Sequence, residues 1–205
     1  MTWPGSSGEQ QAQERFSTLG RAAAFYAHQR LTHLNQPMQE FITRMDMVFI
    51  ATADARGKCD CSFRAGAPGF VQVLDEKTLA YPEYRGNGVL ASVGNLLENP
   101  HIGMIFLDYY QTTVGLHVNG NARVLDPHEA AALPNLPAGM TEAAHSQGGR
   151  RPQAWILIGV EEAYIHCSKH VPLLTRQDKH ITWGTDDERL KGGNFFKVTP
   201  APPRS

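Results

Sequence analysis

The sequence places an arginine in a glycine-rich turn, Arg85-Gly86-Asn87-Gly88, directly after an apolar extended stretch. A helical pattern follows, so these residues are predicted to lie at a helix start, where unpaired backbone N–H groups and the positive dipole end favour anions. The guanidinium of Arg85 adds a planar, permanent positive charge whose geometry fits a phosphate. Asn87 is expected either to donate to that phosphate or to cap the helix. The turn therefore predicts a phosphate-binding site, with a solvated turn as the alternative.

A helix and a strand must position this turn. The strand is predicted over Leu79 to Tyr81, and the helix is expected to end at Asn99-Pro100, because proline disfavours the α conformation in the residue before it. The helix is indicated by apolar residues that recur on one face, namely Val89, Leu90, Val93, Leu96 and Leu97.

Two cysteines, Cys59 and Cys61, are spaced so that their thiols share one face of a strand. Only Cys167 remains as a further thiol, whereas a zinc site of four ligands usually needs a second pair. We therefore expect buried, inert cysteines and no metal site. No Ser/His/Asp or Cys/His arrangement requires a catalytic role, so no catalytic residue is predicted.

The remaining pattern is mainly β. Apolar and alternating runs predict six or seven strands, from Met47 to Ala53 at the beginning to Ala154 to Ser168 at the end, with a bulge near Asn119-Gly120-Asn121. The strands do not alternate with long helices, which argues against a doubly wound sheet. An antiparallel barrel is expected, because closure removes exposed strand edges.

The helical predictions are few. Phe16 to Asn35 is predicted to be one helix ended by Pro37, and Met38 to Met45 a second short helix. The first 13 residues are expected to be mobile, and residues 134–153 are predicted to be a loop after a short helix that begins at Pro127. The predicted organisation is an N-terminal tail and helix over 1–37, a barrel domain over 38–170 and an irregular tail over 171–205.

Composition excludes several classes of function. A net charge of −1 over 205 residues argues against nucleic-acid binding, which needs a basic surface. No apolar run approaches the roughly 20 residues that span a bilayer, so no membrane segment is expected. The odd number of cysteines and the lack of a secretory signal pattern predict a cytoplasmic protein.

The order of these segments resembles the pyridoxamine 5′-phosphate oxidase-like FMN-binding split barrels. The resemblance is carried by the segment SFRAGAPGF at residues 62–70, by the turn from Pro82 to Asn87, by the Asn99-Pro100 helix end, and by LHVNGNARVL at residues 116–125. It covers about residues 38 to 170. It implies a mainly β fold, an antiparallel six- to seven-stranded split β-barrel with N-terminal helices.

The resemblance also implies FMN held at the interface of a homodimer. It assigns the FMN phosphate to Arg85, Gly86 and Asn87, and the partner subunit would contribute from the segment around His166 to Lys169. Lys169 would either place positive charge near the flavin N1 or lie at a solvated strand end, and Trp183, a further candidate for the partner's contribution, would stack on the ring or seal the barrel mouth. Four more residues are implied as neighbours of the cofactor, Ser62 and Arg64 beside the phosphate or ribityl chain and Tyr81 and Pro82 along the isoalloxazine edge.

The function that follows is an FMN-dependent oxidoreductase, in which flavin N5 exchanges a hydride with a small-molecule substrate. Pyridoxamine phosphate itself is not the expected substrate, because the C-terminal Arg-Leu-His-Asp-Arg signature that helps hold it is missing.

Two alternatives stay open. A deazaflavin needs additional basic residues, for which Arg150 and Arg151 are candidates. A non-catalytic flavin- or haem-binding module is the other, although no spacing singles out one of His101, His117 and His166 as an iron ligand.

Overall fold

The computed structural model describes residues 4–134, 136–146 and 151–198. Two helices come first, α1 (Ser7–Arg15) and α2 (Leu19–His28), where the sequence predicted a mobile segment and then one helix. The α1 helix forms because Ser6 and Glu9 make a capping box, and α1 and α2 are separated at Ser17, whose φ is 54°. The prediction of one helix over Phe16 to Asn35 was therefore wrong, and α1 lies where the sequence predicted a mobile segment.

The next elements are the two-residue strand β1 (Arg30–Leu31) and helix α3 (Gln36–Arg44). Pro37 lies in the first turn of α3 and does not end the preceding helix. Proline is tolerated there because the first-turn N–H groups have no partner inside the helix. The Asn35 side chain accepts a hydrogen bond from the Met38 N–H at 3.1 Å and so caps α3.

Eight antiparallel strands form one sheet in the order β3-β2-β6-β7-β8-β5-β4, with β1 paired to β8. The sheet is not closed, because β3 and β4 remain as its two edges. This arrangement confirms the predicted mainly β, split-barrel fold. The seven longer strands are β2 (Met47–Ala53), β3 (Cys59–Ala65), β4 (Gln72–Asp75), β5 (Thr78–Glu83), β6 (His101–Leu107), β7 (Gly115–Leu125) and β8 (Ala154–His166).

The long pair β7 and β8 is the backbone of the sheet. Its register shifts between Asn119 and Gly120, where the sequence predicts a bulge. A Cβ at Gly120 would collide with the carbonyl oxygen of Gly159, so this close approach requires glycine. The main hydrophobic core consists of buried side chains from alternate positions along the strands, among them Val48, Ile50, Phe106, Val118, Ile156 and Ile158.

Three further helices lie outside the sheet: α4 (Ala91–Glu98), α5 (Pro127–Ala131) and α6 (Ala138–His145). The predicted loop over 134–153 thus contains α6, which packs its Met140 with Ala130 and Trp155 into a second apolar cluster. A short 3₁₀ turn, Ser168–His170, follows β8. Within the described residues, no helix has the length and apolar character to cross a membrane.

Candidate functional site

The turn that the sequence singled out lies before α4 and not inside its first turn. The helix begins at Ala91, because Gly88 and Leu90 have φ values of 81° and 53° and break the helical path. The prediction that the turn forms the helix start was therefore wrong by several residues. The apolar face predicted for the helix is partly exposed as well, since Val89 and Leu97 are 71% and 74% exposed.

The turn is nevertheless open to a ligand. A Cβ placed on Gly86 or Gly88 would meet nothing within 4 Å, so space adjoins the backbone at both positions. Asn87 does not cap α4, because its side-chain oxygen accepts from the Val89 N–H at 3.0 Å within the turn. The Arg85 side chain is half exposed and forms an ion pair with Asp186 of the C-terminal tail. Arg85 thus already holds an anionic group.

A cleft of about 510 Å³ opens beside this turn. Its volume falls within the roughly 300–1,000 Å³ typical of ligand pockets. The rings of Tyr84 and Trp183 pack against each other at an interplanar angle of 51°, with 5.3 Å between their centroids. The cleft is lined by the glycine-rich loop over 66–70, by residues of α6, and by Gln72, Pro82, Tyr84, Trp155 and Trp183. Two of the residues predicted from the sequence, Pro82 and Trp183, therefore meet here.

The Tyr81 side chain points away from this cleft and into the main core. It is fully buried there, and burial raises the pKa of the phenol above its ordinary value. Among the described residues its hydroxyl has no hydrogen-bond partner. Of the pair that the resemblance assigned to the isoalloxazine edge, only Pro82 has a place along the cleft.

Arg64 joins the end of β3 to the end of β5. Its Nε donates to the Glu83 carboxylate at 3.0 Å, and its Nη1 donates to the Phe63 carbonyl oxygen at 3.1 Å. Glu83 is only 7% exposed, and burial raises its pKa more than the attraction of Arg64 lowers it. Arg64 is thus engaged in a largely buried ion pair. A ligand would contact the Arg64 guanidinium only by sharing it with Glu83.

Ser62 belongs to a polar cluster at the start of α4. Its hydroxyl donates to the Asp60 carboxylate at 2.9 Å, and the Ser92 hydroxyl donates to the same oxygen at 2.8 Å. The two hydroxyl oxygens lie 3.1 Å apart. A phosphate near Ser62 would therefore face the Asp60 carboxylate, which lies two residues away on the same face of β3, and the Ser92 hydroxyl, which joins the cluster from α4.

Lys169 is remote from the cleft within one subunit. Trp155 at the beginning of β8 pairs with Pro82, whereas His166 at the other end of β8 pairs with Gly115. The 11 residue steps from Trp155 to His166 correspond to roughly 35 Å of extended strand, and Lys169 follows in the 3₁₀ turn. The role predicted for Lys169 was a contribution from a partner subunit, and it stays a prediction.

The structure brings together two histidines that the sequence left scattered. The Nε2 atom of His117 lies 2.9 Å from Nδ1 of His166, and the His117 ring stacks on Tyr164 with 4.7 Å between centroids. Burial and the neighbouring His166 lower the pKa of His117. The strand register creates this pair, so the strand pattern was the only available signal: His117 faces Tyr164, two residues from His166.

The three cysteines do not have the buried positions expected for them, and only Arg151 of the two arginines considered for a deazaflavin lies within the described residues. Cys59, Cys61 and Cys167 are free and exposed, so the prediction of buried cysteines was wrong. In the part of the chain that the structure describes, no group of three or more metal-ligating side chains is arranged around one point. Arg150 lies outside the described residues, and Arg151 lines a separate cavity of about 260 Å³ beyond α6.

One family model matches most of the chain. The family model described as pyridoxamine 5′-phosphate oxidase matches residues 34–167. No curated protein sequence matches the chain.

Three solved structures illustrate the similarity. HupZ of Group A Streptococcus is 23% identical and aligns over 64% of this chain and 93% of its own, with a TM-score of 0.48. A protein from Clostridium acetobutylicum related to general stress protein 26 is 16% identical, over 62% and 83% of the two chains, with a TM-score of 0.44. HutZ, the haem storage protein of Vibrio cholerae, is 14% identical, over 64% and 94%, with a TM-score of 0.43.

Proposed function

Because the chain belongs to the pyridoxamine 5′-phosphate oxidase family, we propose that it binds FMN and acts as an oxidoreductase on a small-molecule substrate. The observation that supports this best is the juxtaposition of an open arginine turn with an aromatic cleft. Arg85 and Tyr84 are adjacent in sequence, so a phosphate on the guanidinium and a flavin ring packed against Tyr84 belong to one ligand.

The residues present fit FMN by their chemistry. A phosphate dianion needs a permanent positive charge and approachable backbone, which Arg85 and the open positions Gly86 and Gly88 supply. A planar tricyclic ring needs flat apolar walls, which Pro82, Tyr84 and Trp155 supply around the cleft.

The protein's part in the reaction is to bind, orient and shield. FMN, when bound, supplies hydride transfer through its N5 atom. The turn fixes the phosphate end through charge and hydrogen bonds, and the aromatic walls exclude water from the ring. Asn87 contributes to the phosphate site when its side chain exchanges the Val89 N–H for the ligand. Ser62 and Arg64 contact the ligand if they exchange or share their present partners, Asp60 and Glu83.

We also propose that the functional unit is a cytoplasmic homodimer with FMN at the subunit interface. Apolar side chains that a second subunit would cover are exposed on β3 and around α4, including Phe63, Val89 and Leu97. The three exposed free thiols suit a reducing compartment. In this arrangement the partner subunit brings its own Lys169 to the flavin. A monomer by light scattering that retains FMN would contradict it.

The test is the visible absorption spectrum of the purified protein after FMN is added and the sample is desalted. We expect the two bands of oxidised flavin, and we expect Arg85→Ala to bind FMN about 10- to 100-fold more weakly, the range of a lost charge-assisted hydrogen bond. Arg56→Ala is the matched control, because Arg56 is an exposed arginine in the β2–β3 turn that pairs only locally with Asp54. Unchanged affinity in Arg85→Ala would refute the proposed phosphate site.

A haem-binding module is the second candidate, and the histidine pair favours it. Histidines that ligate a metal are commonly oriented through a hydrogen bond to their other ring nitrogen. His166 uses Nδ1 in its contact with His117, so its Nε2 is the candidate iron ligand. A Soret band that persists after desalting and is lost in His166→Ala would select this function over flavin binding.

A further inference from the structure

The C-terminal tail is attached to the barrel along its way from the end of β8. The Leu174 N–H donates to the Tyr109 carbonyl oxygen at 2.7 Å, just beyond β6. Arg176 pairs with Asp46 at 2.5 Å, and its guanidinium lies 4.4 Å from the centre of the Tyr110 ring. These contacts carry the tail away from β8, so that the residues that follow reach the cleft at the opposite end.

Two side chains of the tail then occupy the two parts of the candidate site. The Trp183 ring packs against Tyr84, and the Asp186 carboxylate pairs with Arg85. The tail residues are three apart in sequence, and the site residues that receive them are adjacent. One tail segment therefore presents an aromatic ring and an anion to the same surfaces to which we assign the ring and the phosphate of FMN.

We infer that the segment from Trp183 to Asp186 is an internal substitute for the ligand, which must leave Arg85 before a phosphate binds there. This inference rests on the proposed function of the Arg85 turn. The tail thus regulates access to the site, because its carboxylate neutralises Arg85 and its indole occupies part of the cleft.

The charges indicate that the contact is reversible. Asp186 and Arg85 are largely solvent-exposed, and exposed ion pairs contribute little to stability. Lys191 lies 3.3 Å from the other Asp186 oxygen and 3.5 Å from Glu188, so Asp186 has a second cation to pair with after it releases Arg85. A phosphate dianion carries more charge than a carboxylate and forms bidentate bonds with arginine, so it competes effectively.

The experiment compares Asp186→Asn with Asp187→Asn by titrating each protein with FMN and following the quenching of flavin fluorescence. Asp187 is the matched control, because its carboxylate pairs with Arg189 at 2.7 Å and does not contact Arg85. We expect Asp186→Asn to bind FMN about two- to five-fold more tightly than wild type, the size of an exposed ion pair. Asp187→Asn should match wild type, and in an Arg85→Ala background Asp186→Asn should have no effect.

Limited proteolysis of wild type and of both variants measures how often the tail leaves the site, without measuring FMN affinity. Trypsin should cut after Lys179, which is exposed just before this segment, faster in Asp186→Asn than in Asp187→Asn, and FMN should accelerate the cut in wild type. Tight FMN binding that is unchanged or weakened in Asp186→Asn would overturn this inference alone. Failure of every variant, wild type included, to bind FMN would refute the proposed function, and the inference with it.

Discussion

The two ends of the long strand pair β7 and β8 are built differently. At one end, around the cleft, backbone at Gly86 and Gly88 adjoins open space, and Arg85 is held by an exposed tail residue, Asp186. At the other end polar groups are joined to one another: Arg30 and Asn119 both bind Glu162, at 2.9 and 2.8 Å, next to the histidine pair.

This difference distinguishes polar groups that maintain the fold from those that are available for binding. Groups that are paired within the protein gain nothing from a ligand unless they first lose a partner. Arg30, Glu162 and Asn119 are therefore assigned to structure: they attach β1, and with it the adjacent helix α2, to β8 and β7. Arg85 is assigned to binding, because its present partner belongs to a tail that is attached through few contacts.

The cleft end depends on one largely buried ion pair, and removing half of it should have the largest effect. Glu83→Ala leaves the Arg64 guanidinium uncompensated at a site where its side chain is only 19% exposed. We expect a loss of about 3 kcal/mol in the free energy of unfolding, measured by urea denaturation, because an unpaired buried charge is costly.

The double variant Arg64→Met, Glu83→Leu is the control for that loss. It removes both charges and fills similar volume, so it should recover most of the stability. If Glu83→Ala is as stable as wild type, Arg64 finds water or another partner, and the cleft end is less rigidly supported than the contacts suggest.

A pair of glycine variants compares the two ends directly. A Cβ at Gly115 would lie 2.8 Å from the His166 Cβ and 2.9 Å from the Phe106 carbonyl oxygen, whereas one at Gly86 meets nothing within 4 Å. We expect Gly115→Ala to lower the free energy of unfolding by about 1–3 kcal/mol, as overpacking does, and Gly86→Ala to stay within about 0.5 kcal/mol of wild type. Equal thermal unfolding midpoints for both variants would contradict the proposed difference between the ends.

The fold was largely predictable because it depends on local patterns. Runs such as Met47 to Ala53 alternate in burial as a strand must, and Asn119-Gly120 contains a bulge where the sequence predicts one. The predictions failed where a single backbone angle decides, as at Ser17 and Leu90, which adopt positive φ although neither is glycine. Such conformations carry no clear sequence signal.

The site was less predictable, because its residues meet through tertiary contacts. Pro82 and Trp183 were predicted and do line the cleft, but the pairing of Arg85 with Asp186 joins positions about 100 residues apart. The resemblance placed Tyr81 beside the ligand, while the burial of its side chain depends on which face of β5 points into the core. Local spacing predicts the residue types of this site but not their partners.

The smallest expected effect concerns the histidine end and its response to pH. The pKa of His117 in the folded protein is lowered from its ordinary value of 6.5. As the pH falls below 6.5, the folded protein therefore binds fewer protons at this residue than the unfolded chain does. The stability that neutral His117 contributes is therefore present at pH 7 and is lost as the pH falls from about 6.5 through the lowered value in the folded protein. The thermal unfolding midpoint of wild type should therefore decrease over this pH range, and the decrease should be smaller in His117→Gln. His101→Gln, which changes an exposed histidine on β6, should show the same decrease as wild type. Parallel pH profiles for wild type and His117→Gln would show that the pair does not link pH to folding, and would leave both ends of the strand pair insensitive to pH in this range.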